Sequence, residues 1–233
     1  MSRDAKKLTR DYFENLSLFE DSVYVPKKQV QKRAKLQSLP GALDPLPESL
    51  EEFRAHIKNC AECPMGKDHN RIVFADGSAG ARIVFVGEAP GYNEDVQGKP
   101  FVGRAGQLLN QMLADVGLKR EDVYICNVLK CRPPENRDPL PKEVAACVPH
   151  LLTQLSLLQP DILVCLGRHA VSALLGIESP MRELRGRVVP WYWMQVMVTY
   201  HPAYYLRNSG QLVTGQQDFK LLRKLYDELP PRS

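Results

Sequence analysis

The chain has 233 residues, 44% of them hydrophobic, and a formal net charge of +4. This length fits one domain with an extension, and the hydrophobic content is ample for a buried core. The sequence has no apolar run of the roughly 18 residues that a membrane span needs, and its first residues lack the apolar stretch of a secretory signal. We therefore expect a monomeric, cytoplasmic protein without membrane contacts, and the small positive charge favours an anionic partner.

Residues 1–46 are predicted to form a basic, flexible extension, and residues 47–233 a folded domain. The end of the extension is rich in proline, as linkers are. A basic cluster over residues 27–35 is either a solvated tail or an arm that attracts phosphate. Upstream of it, residues 15–19 resemble the peptide that binds the bacterial sliding clamp, which predicts a clamp contact through Leu16, Leu18 and Phe19. A local amphipathic helix is the alternative for this segment.

Predicted strands and helices alternate through the domain. A helix over residues 48–58 is followed by a short strand at 72–74, and four longer apolar strands are predicted at 82–86, 123–129, 161–166 and 194–199. Helices are predicted at 106–113, 141–158, 167–176 and 216–229. This alternation is typical of a three-layer α/β fold, in which helices flank a central, mostly parallel four-stranded sheet.

Polar side chains follow three of these strands. Glu88, Asn127 and His201 each lie at or near the carboxyl end of a predicted strand. Ligands of open α/β sheets bind at that edge, so we expect the three side chains to line one crevice. The loop over residues 87–101 carries three glycines, three acids and two aromatic residues, and we expect it to be a rigid loop that contacts a small molecule.

These motifs resemble one family when they are taken together. They are GEAPG at residues 87–91, the Glu94–Asp95 pair, GKPFVGRAG at 98–106, NVLKCRPP at 127–134 and HPA at 201–203. The combination is similar to the iron–sulfur-containing family 4 uracil-DNA glycosylases over about residues 50–229. Glu135 departs from the family, which often has glycine after the paired prolines.

The resemblance implies a uracil-DNA glycosylase-like fold and hydrolysis of the N-glycosidic bond of a flipped-out deoxyuridine. Uracil is released and an abasic site remains, as in base excision repair. The implied partner is uracil-containing DNA, single- or double-stranded. The implied catalytic residues are Glu88 and His201, and the implied uracil-binding residues are Gly87, Glu88, Gly91, Glu94, Phe101, Asn127 and His201.

Each of these side chains has a functional and a structural interpretation. The Asn127 amide complements N3–H and O4 of uracil, or caps the strand end. The Phe101 ring stacks on the base, or fills the core. His201 donates a hydrogen bond to O2 of the departing base, and Glu88 positions the attacking water. For both residues the alternative is a purely structural role. Glu94 excludes the thymine methyl group or braces its loop.

Four of the six cysteines match the ligands of the family's 4Fe–4S cluster. They are Cys60, Cys63, Cys131 and Cys147. On spacing alone, a four-thiolate zinc site is equally allowed, and the resemblance favours iron. Cys126 and Cys165 lie within predicted strands, where we expect them to be buried apolar residues.

DNA contacts are expected from basic residues, from backbone amides at a helix start and from side chains that fill the gap left by the flipped base. A surface charge without a role is the alternative for each arginine. The candidates are Arg132, Arg137, Gly167, Arg168, Tyr204, Tyr205, Leu206 and Arg207.

Two other functions fit parts of the pattern. A relative that attaches covalently to the abasic sugar carries a basic insertion with a histidine after the Asn-bearing strand, but residues 130–139 are short and contain no histidine. A non-enzymatic iron–sulfur module that binds DNA would need no convergence of Glu88, Asn127 and His201. Turnover is therefore favoured.

Overall fold

A computed structural model describes residues 38–67 and 70–232 of the chain, and it contains a six-stranded sheet. The strands are β1 (Asp76–Gly77), β2 (Ile83–Gly87), β3 (Tyr124–Asn127), β4 (Ile162–Leu166), β5 (Val188–Trp191) and β6 (Met194–Thr199). Their order across the sheet is β1-β3-β2-β4-β6-β5. The four central strands run parallel, and β1 and β5 are antiparallel at the edges. The predicted α/β class with four parallel central strands is confirmed.

Helices cover both faces of the sheet. They are α1 (Leu50–His56), α2 (Tyr92–Gln97), α3 (Arg104–Ala114), α4 (Pro141–Leu158), α5 (Arg168–Leu175), α6 (Met181–Leu184), α7 (Pro202–Arg207) and α8 (Leu212–Asp227). Short 3-10 helices lie at Ile57–Asn59, Pro64–Lys67, Arg120–Asp122, Pro134–Asn136 and Ser209–Gln211. No helix among the described residues combines the length and the apolar character needed to cross a bilayer.

The alternation of side chains along the strands produces two hydrophobic cores. Every residue of β2 is buried. Phe85 packs on the side of α3 and α8, where its ring stacks on Phe219 with centroids 5.9 Å apart. Its neighbours Val84 and Val86 belong to the opposite core, with residues of α4 and α5. Two buried faces therefore fix the register of the sheet and with it the positions of the strand ends.

Three local predictions were wrong. Residues 72–74 form no strand. The strand at this edge of the sheet is instead the two-residue β1, which follows them. The loop after β2 contains the six-residue helix α2, which ends at Gly98 in the left-handed conformation with φ +70°. The edge strand β5 was missed, since its exposed Pro190 is unusual in a strand and its turn to β6 has Tyr192 rather than glycine at positive φ.

The folded unit begins earlier than residue 47. Leu39 is 2% exposed and belongs to the core, and its amide donates to Ser156 Oγ at 2.8 Å. The Leu43 amide donates to Thr153 Oγ1 at 2.9 Å, so Leu39 and Leu43, within the predicted extension, both contact α4. The basic cluster at 27–35 and the clamp-like peptide with Leu16, Leu18 and Phe19 lie outside the described residues.

Candidate active site and candidate metal centre

The carboxyl ends of β2 and β3 meet at Gly87. Gly87 pairs with Asn127 in the parallel register. A Cβ atom on Gly87 would clash with Asn127 Oδ1 and would lie 2.5 Å from Phe101 Cζ. Only glycine fits there, because the amide of Asn127 and the ring of Phe101 both approach its Cα. Two sequence-predicted site residues therefore converge on one point, and Asn127, which is 2% exposed, is held there by the sheet.

Phe101 is held by contacts that the sequence did not indicate. Its φ of +53° is unusual for a residue with a side chain. Arg120 donates to Phe101 O at 3.2 Å and to Pro100 O at 2.6 Å, while its Nε donates to Asp76 Oδ2 at 2.7 Å. The guanidinium thus ties the loop to β1. Gly106 leaves space for the Phe101 carbonyl group, which a Cβ atom on residue 106 would overlap. Phe101 is 6% exposed.

His201 follows β6 and caps α7. Its Nδ1 accepts from the Ala203 amide at 3.2 Å, and its ring centroid lies 5.3 Å from that of Phe101. Burial, with a smaller contribution from Arg207, lowers the pKa of His201 to about 4. The ring is therefore neutral at physiological pH. Because Nδ1 accepts, geometry assigns the ring proton to Nε2, which is left as a donor.

A buried polar network fixes the end of β6 beneath His201. Thr199 Oγ1 donates to Asp218 Oδ2 at 2.6 Å and lies 3.1 Å from the hydroxyl of Tyr205. Arg185 pairs with the same carboxylate, which is 2% exposed. Since α8 supplies Asp218 and α7 supplies Tyr205, two helices and a strand hold the turn that carries His201.

Glu88 follows β2 at the carboxyl edge of the sheet, with 32% of its side chain exposed. Its backbone carbonyl accepts from the Leu129 amide at 3.0 Å, which extends the pairing of β2 and β3 by one step. Burial raises the pKa of the Glu88 carboxyl, and Asp138 adds to the rise. His169 opposes it, and its Nε2 lies 3.4 Å from Glu88 Oε2.

Glu94 braces the loop that leads to α3. Its Oε1 accepts from the amides of Val102 and Gly103, both at 2.9 Å. A Cβ on Gly91 would lie 2.9 Å from Glu94 Oε2, so the glycine lets the carboxylate approach the backbone. This contact is the structural alternative for Glu94, and exclusion of the thymine methyl group stays a prediction. The neighbouring Asp95, 2% exposed, accepts from the Asn70 amide at 3.0 Å.

Three of the proposed DNA-contacting groups are engaged inside the fold. The hydroxyl-bearing ring of Tyr205 is 2% exposed, so it does not project from the surface. Arg137 donates to both oxygens of Glu143, at 2.6 and 2.9 Å. The Gly167 amide donates to the Thr199 carbonyl at 2.9 Å, so this amide is not free for a phosphate. Gly167 instead allows the backbone to run close to His201, because a Cβ atom on residue 167 would lie only 3.1 Å from His201 Cβ.

The other DNA candidates lie at the surface. Leu206 is 40% exposed, and Arg207 is exposed beside it. Arg168 has 68% of its side chain exposed at the start of α5. Tyr204 is half-buried and stacks on Tyr200, with centroids 4.1 Å apart. The guanidinium of Arg132 lies over the exposed ring of Tyr92, 5.2 Å from its centroid.

The four predicted ligand cysteines line a single cavity. Ile57, Met65, Ile72, Lys130 and His150 are among the other residues that surround it. All six cysteines of the chain are free thiols rather than disulfides. Cys126 and Cys165 are fully buried in β3 and β4, away from this cavity's lining, as predicted for apolar cysteines.

The donor set fits a cationic metal centre. Burial raises the pKa of Cys147 to about 11 and also raises that of Cys131, whose rise is increased by Cys147, Cys63 and Cys60. Thiolates that line one cavity repel one another, and a bound metal would offset that repulsion. His150 Nε2 lies 3.4 Å from Cys60 Sγ and supplies a polar contact beside the sulfur.

Lys130 links the cysteine cavity to the base site. Its side chain is 1% exposed, and Nζ donates to the carbonyl of Asn127 at 2.7 Å. Its backbone amide lies 3.2 Å from Cys147 Sγ, to which it donates. A buried ammonium group requires negative charge nearby, and the neighbouring thiolates would supply it. Lys130 lies inside the motif at residues 127–134, but no role was assigned to it from the sequence, because its neighbours Asn127 and Cys131 were each assigned to a different site.

Comparisons with known proteins agree with the motif resemblance. The family model of the Uracil DNA glycosylase superfamily matches residues 74–229. The type-4 uracil-DNA glycosylase of Thermotoga maritima is 46% identical over 165 residues, which cover 70% of this chain and 86% of the relative. That of Archaeoglobus fulgidus is 42% identical over 192 residues, covering 79% and 96%. A type-5 uracil-DNA glycosylase of Pyrobaculum aerophilum is 30% identical over 195 residues, covering 70% and 86%. The chain therefore belongs to the type-4 uracil-DNA glycosylases of the uracil DNA glycosylase superfamily.

Proposed function

We propose that this protein is a monofunctional uracil-DNA glycosylase that hydrolyses the bond between uracil and deoxyribose in DNA. The observation that carries the proposal is the convergence of Asn127, Phe101 and His201 on one crevice, where Gly87 leaves room for the first two. A base inside a duplex cannot reach such a crevice, so the nucleotide is flipped out or taken from a single strand. Membership of the family supports the same activity.

Asn127 and Phe101 select the base. The ring of Phe101 offers a stacking surface, and base–aromatic stacking is worth about 1–3 kcal/mol. The Asn127 amide offers one donor and one acceptor, which match O4 and N3–H of uracil. Cytosine presents the opposite pattern and would leave buried polar groups unpaired, which is a strong basis for rejection.

His201 stabilises the departing base. As the bond to N1 breaks, its electron pair moves onto the uracil ring and negative charge grows on O2. The neutral imidazole donates from Nε2 to that oxygen, and its low pKa means that it is a hydrogen-bond donor rather than a proton source at neutral pH. A preorganised donor of this kind typically contributes roughly a hundredfold to a thousandfold in rate.

Glu88 orients the attacking water. The water oxygen forms the new bond at C1′ while one of its protons passes to the carboxylate. The carboxylate charge also favours the positive charge that develops on the sugar. Partial burial raises the pKa of Glu88, which makes it a better proton acceptor once it is ionised. Uracil leaves as its anion and takes up a proton from solvent, the Glu88 carboxyl group gives the proton from water back to solvent, and an abasic site remains.

DNA is held by the rim of the crevice. Arg168 and Arg207 are exposed cations suited to phosphates, and Leu206 is the exposed apolar side chain best placed to fill the gap in the stack. Tyr204 is a second candidate for that position. We assign no DNA contact to Tyr205, which is buried, or to Arg137, which is committed to the buried carboxylate of Glu143. The partner of Arg168, Asp138, is itself exposed, so Arg168 stays available to a phosphate.

We further propose that Cys60, Cys63, Cys131 and Cys147 hold a 4Fe–4S cluster, which binds through thiolates and is redox-active in principle. Its contribution here is structural: these ligands join the segment after α1, the loop after β3 and α4. The four-thiolate zinc site is the alternative. A brown colour with visible absorbance and about four iron atoms per chain supports the cluster, whereas zinc in metal analysis contradicts it.

The contact of the sliding clamp with Leu16, Leu18 and Phe19, the basic extension and a cytoplasmic location stay predictions. The clamp contact is checked by pull-down of a purified bacterial clamp with the full chain and with a variant in which Leu18 and Phe19 are alanine. Capture of the clamp by the full chain alone supports the peptide. Equal capture, or none, contradicts it.

The activity is tested on an oligonucleotide with one uracil, followed by alkali and a denaturing gel. Scission at uracil supports hydrolysis, a stable protein–DNA adduct supports the covalent alternative, and binding without either product supports the non-enzymatic module. The variant Asn127→Asp should release uracil more slowly and discriminate less against cytosine. Asn59→Asp, the same change at an exposed position, is the matched control. Unchanged rates and selectivity in N127D would remove Asn127 from base recognition.

A further inference from the structure

Three ionisable side chains from other parts of the chain lie near the carboxylate of Glu88, the residue that follows β2. His169 lies in the first turn of α5, with Nε2 3.4 Å from Glu88 Oε2 and 3.6 Å from Asp138 Oδ2. Arg168 Nη2 pairs with the same Asp138 oxygen at 2.6 Å, and Arg168 Nε donates to His169 Nε2 at 3.1 Å. His169 contacts the Glu88 carboxylate directly, and Asp138 and Arg168 act on it through their charges.

We propose that His169 is a positioning residue for Glu88, holding its carboxylate at the mouth of the crevice and keeping it in the ionised form that accepts a proton from water. This inference rests on the role proposed for Glu88 in uracil release. Neither the motif resemblance nor the strand-end pattern assigned a role to this histidine side chain.

The charges around Glu88 favour this role. Glu88 and Asp138 bring two negative charges, and Arg168 brings one positive charge that is already paired with Asp138. When the His169 ring carries a proton on Nε2, this N–H points at the two carboxylates and balances the second negative charge. In the neutral ring Nε2 accepts from Arg168 instead, and Glu88 loses its cationic neighbour.

The direction of the effect on Glu88 follows from its surroundings. Burial raises the pKa of the carboxyl group, and the negative charge of Asp138 raises it further. His169 and Arg168 act against that rise, with His169 the stronger of the two. His201 is the other ionisable group of the crevice, and it is neutral because its own pKa is about 4. Removal of His169 therefore favours the protonated, inactive form of Glu88.

The alternative role for His169, direct binding of a DNA phosphate, fits less well. Its side chain is 24% exposed, against 68% for Arg168 on the same turn. Two carboxylates lie within 3.6 Å of Nε2, and they would repel a phosphate at that atom. Arg168 projects further and is the better phosphate contact. Of these two neighbouring residues of α5, Arg168 is therefore assigned to DNA and His169 to Glu88.

The turn before α5 explains why His169 reaches the site. Gly167 has φ +88°, and an added Cβ would lie 3.1 Å from His201 Cβ. Because the backbone at Gly167 runs close to His201, the first turn of α5 lies against the end of β6. The side chains of this turn face the end of β2. The sheet order, with β4 between β2 and β6, makes α5 the helix that can contact both strand ends.

The test is the pH dependence of single-turnover uracil release by His169→Gln, with saturating enzyme and the uracil oligonucleotide. We expect the acid limb of the profile to move upwards by about one pH unit, so that the rate falls roughly tenfold near pH 6 and less than threefold near pH 8.5. DNA affinity should change less than twofold. A merely structural role would lower the rate equally at all pH values.

Asp138→Asn is the matched variant of opposite sign. Loss of its negative charge should move the acid limb of the pH profile to lower pH, opposite to the shift expected for His169→Gln. If disruption of the loop caused the shifts, Asp138→Asn and His169→Gln would move the acid limb in the same direction. His169→Asn is a second variant in case His169→Gln folds poorly, as checked by thermal unfolding and cluster absorbance. Wild-type profiles in both His169 variants, or shifts of the same sign in the Asp138 variant, would overturn the inference.

Glu88→Gln separates this inference from the proposed role of Glu88. If Glu88→Gln releases uracil at the wild-type rate, the assignment of Glu88 is wrong and the inference fails with it. If Glu88→Gln is inactive at every pH and the His169 variants keep the wild-type profile, Glu88 retains its role and the inference alone is rejected.

Discussion

The two ring nitrogens of His201 are predicted to have separable functions. Nδ1 accepts from the Ala203 amide and caps α7, while Nε2–H is left to donate to the base. His201→Asn keeps a short side-chain acceptor for the cap but cannot reach the base. His201→Leu removes both functions. Both variants should lower the single-turnover rate by roughly a hundredfold to a thousandfold, the usual loss for one preorganised donor.

Stability should distinguish the two variants. Loss of an N-cap costs about 1 kcal/mol, which lowers Tm by about 2–4 °C in a chain of this size. We expect that loss in His201→Leu and a smaller one in His201→Asn, because asparagine is a good N-cap. The polar network of Thr199 and Asp218 should keep the fold intact in both.

The pH dependence of stability is a second consequence. The pKa of His201 is lowered from 6.5 to about 4, so between these values the unfolded chain binds more protons than the folded one. The free energy of unfolding of the wild type therefore falls as the pH drops through this window, by at most about 3 kcal/mol. His201→Leu should lose part of that dependence.

The assays are gel analysis of uracil release and thermal unfolding between pH 4 and 8. His56→Asn, at an exposed histidine of α1, is the control and should alter neither. A rate within threefold of the wild type in His201→Leu would refute the donor role. Equal loss of Tm in His201→Leu and His201→Asn would refute the cap as the source of the difference.

Three further changes probe the platform, the metal centre and the link between them. Phe101→Leu should lower kcat/KM by about tenfold to a hundredfold through lost stacking and should also lower Tm, because the ring is buried; equal activity would exclude a stacking role. Cys147→Ser should lose the visible absorbance and much of the thermal stability, and a retained spectrum would remove it from the ligand set. Lys130→Met should keep that absorbance yet lower the rate of uracil release about tenfold, because the bond to the Asn127 carbonyl is lost; an unchanged rate would contradict this coupling.

The sequence predicted the parts of the site that follow from topology. Parallel strands present their carboxyl ends at one edge, so the polar residues after three strands had to lie near one another. Glu88, Asn127 and His201 were found in this way, and the family resemblance added Phe101. Their exact partners were not predictable, because those partners come from distant parts of the chain.

Arg120 is the clearest case of such a distant partner. It lies 44 residues from Asp76 and holds the Phe101 loop through two carbonyls. Nothing local distinguishes it from a surface arginine, since its function appears only once β1 pairs with β3. The same reason explains why Asp218 was missed: its partner Thr199 belongs to β6, and only packing of α8 on the sheet brings them together.

The helix α7 shows a different limit. Tyr204, Tyr205 and Leu206 are consecutive apolar residues, and the sequence offered no way to choose which of them faces DNA. A helix turns by about 100° per residue, so neighbours point in different directions. The network at Thr199 takes Tyr205 inwards, and this leaves Leu206 exposed and Tyr204 at the border.

The position of the metal ligands along the chain has a consequence for the base site. Asn127, Lys130 and Cys131 lie within five residues, so the loop that carries a ligand is also the loop that leaves β3 after the base-reading amide. The Lys130 ammonium donates to Asn127 while its backbone amide donates to Cys147. Metal binding by Cys131 and Cys147 would keep both side chains in the thiolate form, which balances the charge of the buried lysine, and would hold the Cys131 end of this loop. A metal centre that takes part in no chemical step can in this way still determine how precisely the Asn127 amide is positioned against the base.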